Sequence, residues 1–538
     1  MLYRESGQVC PQNLYQINRS CSYKSFFCLL LLTILFVTSC REHVDNPYRD
    51  VSMDDFAAVA DDAYQVSGRL VKRQIAEMVR QDSDTLTADY RARSHYLKGG
   101  RWVWVGRRGV TAQADTLLHY LKQVGEMGFS PNKFRVREIE EDLQRIRALN
   151  LDTLHRMSRM MGRLEYNLTK AYLRYVVGQR YGYINPKYIF NRLDVVDTTA
   201  VPLAYRGLFD IPMQLPSSGY YEYVLNKVAA DSVGSYLRGI RPTHPLYARY
   251  QEMLSKPGLG AAARDRIMAN MERCRWRLDE YPHQYQKYVL VNIPSFHLRA
   301  VDGEEVLEMR IGCGTKETKT PLLTSTIKRM DVNPQWIIPK SIVKQSVVRH
   351  VGDSAYFASH HYFVRERKSG KIVPPSAMTA AMLLSPDYMV AQEGGEGNSL
   401  GRIIFRFDNA FSVYLHDTSS RDFFARANRG VSHGCVRVEK PFDLAVFLMA
   451  DKSSSDVERI RYSMTADVST LGKAGRRGDG VPDTLNRRKL ISTLKVEPRI
   501  PLFITYYTLY PDPSGKMEEF ADVYGYDRVI YQYLNNYR

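Results

Sequence analysis

Cysteine is scarce in this sequence: seven occur among 538 residues, and three of them, Cys10, Cys21 and Cys28, stand before position 40. A chain so poor in cysteine is not a disulfide scaffold. Long hydrophobic runs are missing as well. The apolar stretch from Phe26 to Val37 covers a dozen positions, short of the ~20 that a spanning helix needs. No repeat of fixed period and no extended low-complexity segment is found, which sets aside solenoids and tail-like linkers. The glycines between Gly394 and Gly401 are not followed by Gly-Lys-Ser/Thr, and Glu393 and Glu396 beside them would repel phosphate, so they read as a hinge or lid margin and not as a phosphate loop.

The short apolar run carries its own meaning. Arg19 and Lys24 precede it and Thr38-Ser39-Cys40 follows it, the layout of a signal peptide. Small residues directly before a cysteine resemble a bacterial lipobox, which implies cleavage before Cys40 and lipidation of that residue. Two or more acyl chains would hold the product stably on a membrane. The expectation is a leader over residues 1–39 and a lipid-anchored protein of the cell envelope, facing the periplasm.

Charge of one sign is in excess: 75 Lys and Arg stand against 58 Asp and Glu, a net +17. Loss of the leader removes Arg4, Arg19, Lys24 and Glu5 and leaves about +15. A basic surface suits anionic envelope polymers. It would also suit nucleic acid, but an export signal argues against that partner, and no nucleic acid is expected. The charge reads as a solvated face with weak attraction to the wall.

The length implies two or three domains. From Asp54 to about Glu280 the apolar pattern is helical. Met157, Met160, Met161, Leu164, Leu168, Ala171, Tyr172 and Tyr175 recur at three- and four-residue steps, one stripe on a helix. Leu117 to Gly128 reads as another helix closed by glycine. Around Tyr288 the period changes to two. Phe296, Leu298 and Ala300 alternate before Asp302-Gly303 and Leu307, Met309 and Ile311 after it, a hairpin with a tight turn. Ile403 to Phe407 and Ser412 to Leu415 repeat the device around Asp408-Asn409, and Leu502 to Thr508 supplies a late strand. Short strands of this kind predict a sandwich or barrel. Asp451 to Asp483 is polar and reads as a surface excursion.

The chemistry is concentrated in Tyr414-Leu415-His416-Asp417 and Ser432-His433-Gly434-Cys435-Val436-Arg437. A cysteine attacks a carbonyl carbon as thiolate, and a thiol of ordinary pKa is mostly protonated at neutral pH, so a nearby imidazole must take its proton. His416, released at the end of an alternating strand, is the candidate base. His433 is two residues from the sulfur and can shape the pocket or the turn. Gly434 permits close approach to the backbone, and amides near Gly434 and Cys435 can hold an oxyanion. A buried structural cysteine is the bland alternative. Zinc is disfavoured, because two histidines and a cysteine at this spacing fit no usual zinc pattern.

These residues resemble the signature of the YkuD-type L,D-transpeptidases, in which a histidine precedes Ser-His-Gly-Cys-Val-Arg by a short gap. Further segments, Ala269 to Trp276, Val291-Asn292-Ile293-Pro294, Asn333-Pro334-Gln335-Trp336 with Pro339, and Gly397 to Gly401, are similar to the large YcbB-like branch. The resemblance covers the chain from about Ala269 onward closely and the N-terminal half loosely. It departs from the branch in one respect: between His244 and Asn270 there is no room for the peptidoglycan-binding module usual there, since a small autonomous domain needs about 40 residues or more.

The resemblance implies an α+β multidomain protein: a helical scaffold over 40–280 and a mostly-β catalytic domain over 281–538, with a capping subdomain or lid at 341–401. It implies a peptidoglycan transpeptidase that forms 3-3 cross-links on tetrapeptide stems through a cysteine acyl-enzyme, without cofactor or metal. The alternatives are an L,D-carboxypeptidase or other hydrolase using the same residues, and a non-catalytic wall-binding scaffold lipoprotein. Cys435, His416 and His433 are the expected catalytic residues, with Gly434 and the carbonyl of Asp417 in positioning roles. Tyr414, Ser432 and Arg437 are expected at the substrate, Ser432 as a turn or hydrogen-bonding residue first, and Arg437 toward a stem carboxylate, although a structural salt bridge would explain Arg437 equally well. Stem peptides and a membrane are the expected partners. Trp336 is expected in a core and not as a sugar platform.

Overall fold

One long helix, Met157–Tyr181, organises the helical half. The apolar stripe expected on it is only part of its buried surface, for Glu165, Lys170 and Arg174 are buried too. Each is matched from distant sequence. Glu165 accepts backbone N–H groups of Val103, Trp104 and Val105 at 2.8, 2.9 and 3.0 Å. Lys170 Nζ lies 2.6 Å from carboxylate oxygens of both Asp82 and Asp84, and Arg174 Nε lies 2.6 Å from Asp89 Oδ1. Buried charges persist only when paired in this way.

The computed structural model describes residues 63–452, 455–466, 468 and 485–538. The expected leader, Cys40 and most of the polar segment 451–483 lie outside these residues. Among the described residues no helix is long and apolar enough to cross a membrane. Helix Gln113–Lys122 continues as a 3-10 turn that ends at Gly128, whose φ of +80° is the left-handed cap that glycine favours. Helices Pro245–Leu254 and Ala261–Arg275 are joined directly by residues 255–260. Arg273, on the second of these, pairs with Asp527 at 2.6 Å and so fastens the C-terminal helix Tyr526–Leu534.

From within the helical half the chain lends strand β1 (Phe209–Asp210) to the sheet and returns to helices through Ala261–Arg275. It then builds β2 (Lys287–Asn292), β3 (His297–Asp302), β4 (Glu305–Gly314) and β5 (Leu322–Val332). A separate antiparallel sheet follows, made of β6 (Trp336–Ile337), β7 (Tyr362–Glu366), β8 (Ile372–Val373) and β9 (Tyr388–Gln392). The chain returns with β10 (Ile403–Phe407), β11 (Leu415–His416), β12 (Gly430–Ser432), β13 (Val436–Val438) and β14 (Thr493–Thr505). The main sheet runs β10-β11-β13-β4-β3-β2-β14-β5, and β5 pairs again with β10, so the sheet closes into a barrel. Closure removes exposed edges. β1 joins β5 in parallel, and one apolar core runs from the helices into the barrel.

The hairpin at Gly303 forms with Asp302 opposite Glu305. Two expectations shift. The strand expected from Ser412 begins only at Leu415, because Ser412 takes φ +55° and Asn409 ties the loop, accepting from the amides of Phe411 and Val413. The late strand is Thr493–Thr505 and not Leu502–Thr508. The inserted sheet carries a small core of its own around Val343, Phe357, Val364 and Val390. It begins with Trp336, ahead of the expected boundary at 341, and Trp336 packs against that core.

Candidate active site

β11 and β13 pair in parallel with Leu415 opposite Val436 and His416 opposite Arg437. The Val436 amide donates to the Tyr414 carbonyl at 2.9 Å, which extends the pairing to Tyr414 and Cys435. Leu415 and Val436 are buried in the barrel core. Side chains alternate across a strand, so Tyr414, His416, Cys435 and Arg437 share the opposite face, with His416 and Cys435 as diagonal neighbours. The two short motifs are thus brought together by a non-local parallel pairing.

His416 is 4% exposed. Its Nδ1 lies 2.5 Å from the carbonyl oxygen of Asp417, which can only accept, so the ring carries its proton on Nδ1 and leaves Nε2 as the basic atom. Burial first, and then the neighbouring Arg437 charge, hold the imidazole down at about 4. It is therefore neutral at physiological pH. The Asp417 side chain has other work: its Oδ2 accepts the Arg402 amide at 2.8 Å, and its Oδ1 is 3.2 Å from Arg421.

Cys435 is partly exposed and free. Burial raises its thiol above the ordinary value, while the Tyr414 backbone and Arg437 pull the other way. Thiol and imidazole consequently rest as a neutral pair. Cys274 and Cys313 are also free and buried, in different surroundings: Cys274 Sγ lies 3.3 Å from His244 Nδ1, and the Tyr524 hydroxyl lies 3.4 Å from Cys313 Sγ.

Ser432 closes the turn before Cys435. Ser432, expected first as a turn or hydrogen-bonding residue and then at the substrate, is buried, and its hydroxyl is spent within the turn: Oγ donates to the Cys435 carbonyl at 2.6 Å and accepts the Gly434 amide at 3.0 Å. Its carbonyl accepts Thr318 Oγ1 at 2.7 Å. The Gly434 amide is therefore not an oxyanion donor, and Gly434 acts through its backbone, at φ +120°. The amide of Cys435 itself has no hydrogen-bond partner among the described residues and remains for that role.

Among the described residues Arg437 forms no salt bridge. Its guanidinium lies 5.7 Å from the Phe423 ring, and its Nε is buried with no partner among the described residues. Tyr414 is half-buried with Arg406 over its ring at 4.8 Å. His433 is exposed and, with Gly434 and Val413, lines a cleft of about 450 Å³. Sequence reasoning missed the rest of that cleft. Arg206 comes from the helical half, Lys319 from the β4–β5 loop, and Ser341 and Gln345 from the inserted subdomain. None carries a local signal, because only the fold brings them beside His433 and Gly434, the residues that precede Cys435. Among the described residues no His, Cys, Asp or Glu cluster could hold a metal ion.

Residues 286–458 match the family model YkuD, the L,D-transpeptidase catalytic domain, and residues 85–254 match the model of a Scaffold domain. A Haemophilus influenzae protein named "Putative L,D-transpeptidase" is 25% identical over 324 residues, 59% of this chain and 60% of that protein. The match thus spans less than two thirds of that relative. Among solved structures, an L,D-transpeptidase from Mycobacterium smegmatis aligns at 14% identity and a TM-score of 0.18, over 41% of this chain and 58% of that one. The Ldtfm-avibactam carbamoyl enzyme aligns at 14% identity and a TM-score of 0.18, over 32% of this chain and 49% of its own.

Proposed function

We propose that this chain, which carries a YkuD L,D-transpeptidase catalytic domain and a Scaffold domain, is a peptidoglycan L,D-transpeptidase forming 3-3 cross-links through an acyl-enzyme on Cys435. The observation that carries this reading is the shared strand face. It sets a partly exposed thiol diagonal to an imidazole whose Nδ1 proton is fixed on the Asp417 carbonyl and whose Nε2 is basic.

In the proposed reaction, Nε2 of His416 takes the Cys435 proton as the sulfur attacks the carbonyl carbon between a diamino acid and the terminal D-alanine of a tetrapeptide stem. The Cys435 amide holds the oxyanion. As the tetrahedral intermediate collapses, the C–N bond breaks and D-alanine leaves with the proton from His416. The side-chain amine of a second stem then attacks the thioester, gives its proton to His416, and releases the thiol. Arg437 accepts a stem carboxylate, for which its unpaired Nε fits.

Incubation of the purified protein with tetrapeptide muropeptides, followed by mass spectrometry, tests this reading. Cross-linked dimers are expected. Tripeptides alone would make the protein an L,D-carboxypeptidase, and absence of product from folded protein would leave a wall-binding scaffold. Lipidation at Cys40 and residence at the periplasmic face of a membrane belong to the same proposal. Cys40→Ser is expected to remove the protein from the membrane fraction, and unchanged tight association would overturn that part.

A further inference from the structure

The helical half contains a cavity unlike an ordinary core. On helix Thr87–Leu97, Arg91, Ser94 and His95, with Lys98 just past its end, follow the spacing that puts side chains on one face. On helix Ser218–Ala229, Tyr221, Glu222 and Leu225 do the same. These faces wall a cavity of about 560 Å³, with Val103 and Leu173 completing an apolar lining. That size lies within the range of ~300–1,000 Å³ typical of small-ligand sites.

Its charges are unbalanced. Arg91, Lys98 and Arg101 line it against one carboxylate, Glu222. Arg101 is held by Asn226 Oδ1 at 2.7 Å, and the Nε2 of His95 donates to the Arg101 carbonyl at 2.9 Å. The Arg91 guanidinium lies 5.0 Å from the Tyr221 ring centre, and neither its buried Nε nor the Tyr221 hydroxyl has a partner among the described residues. Tyr221 is 6% exposed. Both atoms are closed off from solvent, so the anion character of the cavity rests on Arg91, Lys98 and Arg101 set against the single carboxylate of Glu222.

We infer that this cavity is a second binding site, remote from Cys435, for the carboxylates of a peptidoglycan stem peptide. Arg91 and Lys98 are the anion contacts, and Tyr221, Val103, Leu173 and Leu225 receive the peptide body. A bare phosphate would leave that apolar lining unused. Glu222 suits the ammonium that a diamino acid presents beside its carboxylate. The identity of the ligand rests on the function proposed above; the anion site rests on the cavity itself. The site would hold wall polymer while Cys435 reacts, lowering KM for sacculi without changing kcat on soluble stems.

The test titrates a soluble disaccharide-tetrapeptide, and separately inorganic phosphate, into the full chain with Cys435→Ala, with and without Arg91→Gln and Lys98→Gln. Lys98 is exposed, so Lys98→Gln alone reads the site even if Arg91→Gln disturbs folding. Two classes of stem-peptide site are expected, with the double variant weakening one at least tenfold and Lys98→Gln alone weakening it several-fold. On the active background, both variants should keep kcat on soluble donor. An isotherm unchanged by the variants, no second site in the parent, or phosphate binding there more tightly than the stem peptide would overturn the inference. Stem binding at Arg91 without any cross-linked product would instead overturn the proposed reaction and leave this site standing.

Discussion

His416 and Arg437 stand directly opposite each other in the parallel pair β11–β13, so a guanidinium with a buried, unpaired Nε faces the imidazole proposed as the base. The arrangement keeps that imidazole neutral and weakly basic until an anion arrives. A stem carboxylate on Arg437 would cancel part of the positive field, and the basicity of His416 would rise as substrate binds.

Arg437→Gln tests this relationship through pH. In the parent, His416 is held at about 4, first by burial and then by Arg437, so the acid limb of acylation should fall with a midpoint near 4 and not near 6.5. Removing the guanidinium lifts one of the two depressing influences, and the midpoint should move upward. The Cys435 thiol, which Arg437 also pulls down, should titrate higher in the variant. Acylation at neutral pH should slow by about tenfold or more, in the range of charge-assisted contacts worth ~1.5–3 kcal/mol. Rates followed by intact-mass spectrometry across pH decide it, and an acid limb that stays in place refutes the coupling.

The two histidines and the three free cysteines of the described residues should separate by role. Cys435→Ala should form no acyl-enzyme and remain folded, because its side chain is only partly buried. Cys274→Ser and Cys313→Ser should still acylate. His416→Ala should slow acylation by ~10²–10⁴-fold, the usual contribution of a general base. His433→Ala, altering an exposed side chain, should cost far less. The same mass-spectrometric assay compares all five variants, and a larger loss at His433 would reverse the assignment.

Local pattern carried much of this structure. The two-residue alternation around Asp302-Gly303 is a hairpin, the glycine after Leu117–Leu121 closes its helix, and His416 and Cys435 stand out by the short motifs that flank them. What was hidden depends on long-range partners. Lys170 and Arg174 look like the solvated side of an amphipathic helix, and are buried because Asp82, Asp84 and Asp89 meet them from more than eighty residues away. Arg206 reaches the cleft only because β1 joins the barrel.

Gly434 gives a backbone test that steric arguments would miss. A Cβ there would meet nothing closer than 3.5 Å, so space is available, but φ is +120°. Gly434→Ala should therefore cost ~1–3 kcal/mol as conformational strain, and relief of that strain would move the Cys435 amide. Ser432→Ala, which frees the Gly434 amide, should lower turnover through the same turn with a smaller loss of stability. Urea unfolding and acylation rates measured together check this. Full activity in Gly434→Ala would show that the turn does not position the sulfur.

Glu165 provides the test in the helical half. Burial pushes its carboxyl up to about 7 despite the backbone N–H groups of Val103, Trp104 and Val105 that favour the anion. A folded value above the ordinary 4.5 means that the folded state holds the proton more tightly. The stability this supplies is complete below pH 4.5 and is lost as pH rises through about 7. Glu165→Gln cannot titrate, and its amide N–H₂ would face those backbone donors, so it should be less stable than the parent at pH 5 by ~1–3 kcal/mol. The gap should narrow at pH 8, because only the parent has lost stability over that interval. Urea unfolding of both proteins at the two pH values measures the gap directly, and comparing the pair cancels contributions from other buried groups such as Glu272. A gap that is constant or wider at pH 8 would show that Glu165 stays ionised in the folded protein, with its three backbone donors outweighing the burial that surrounds them.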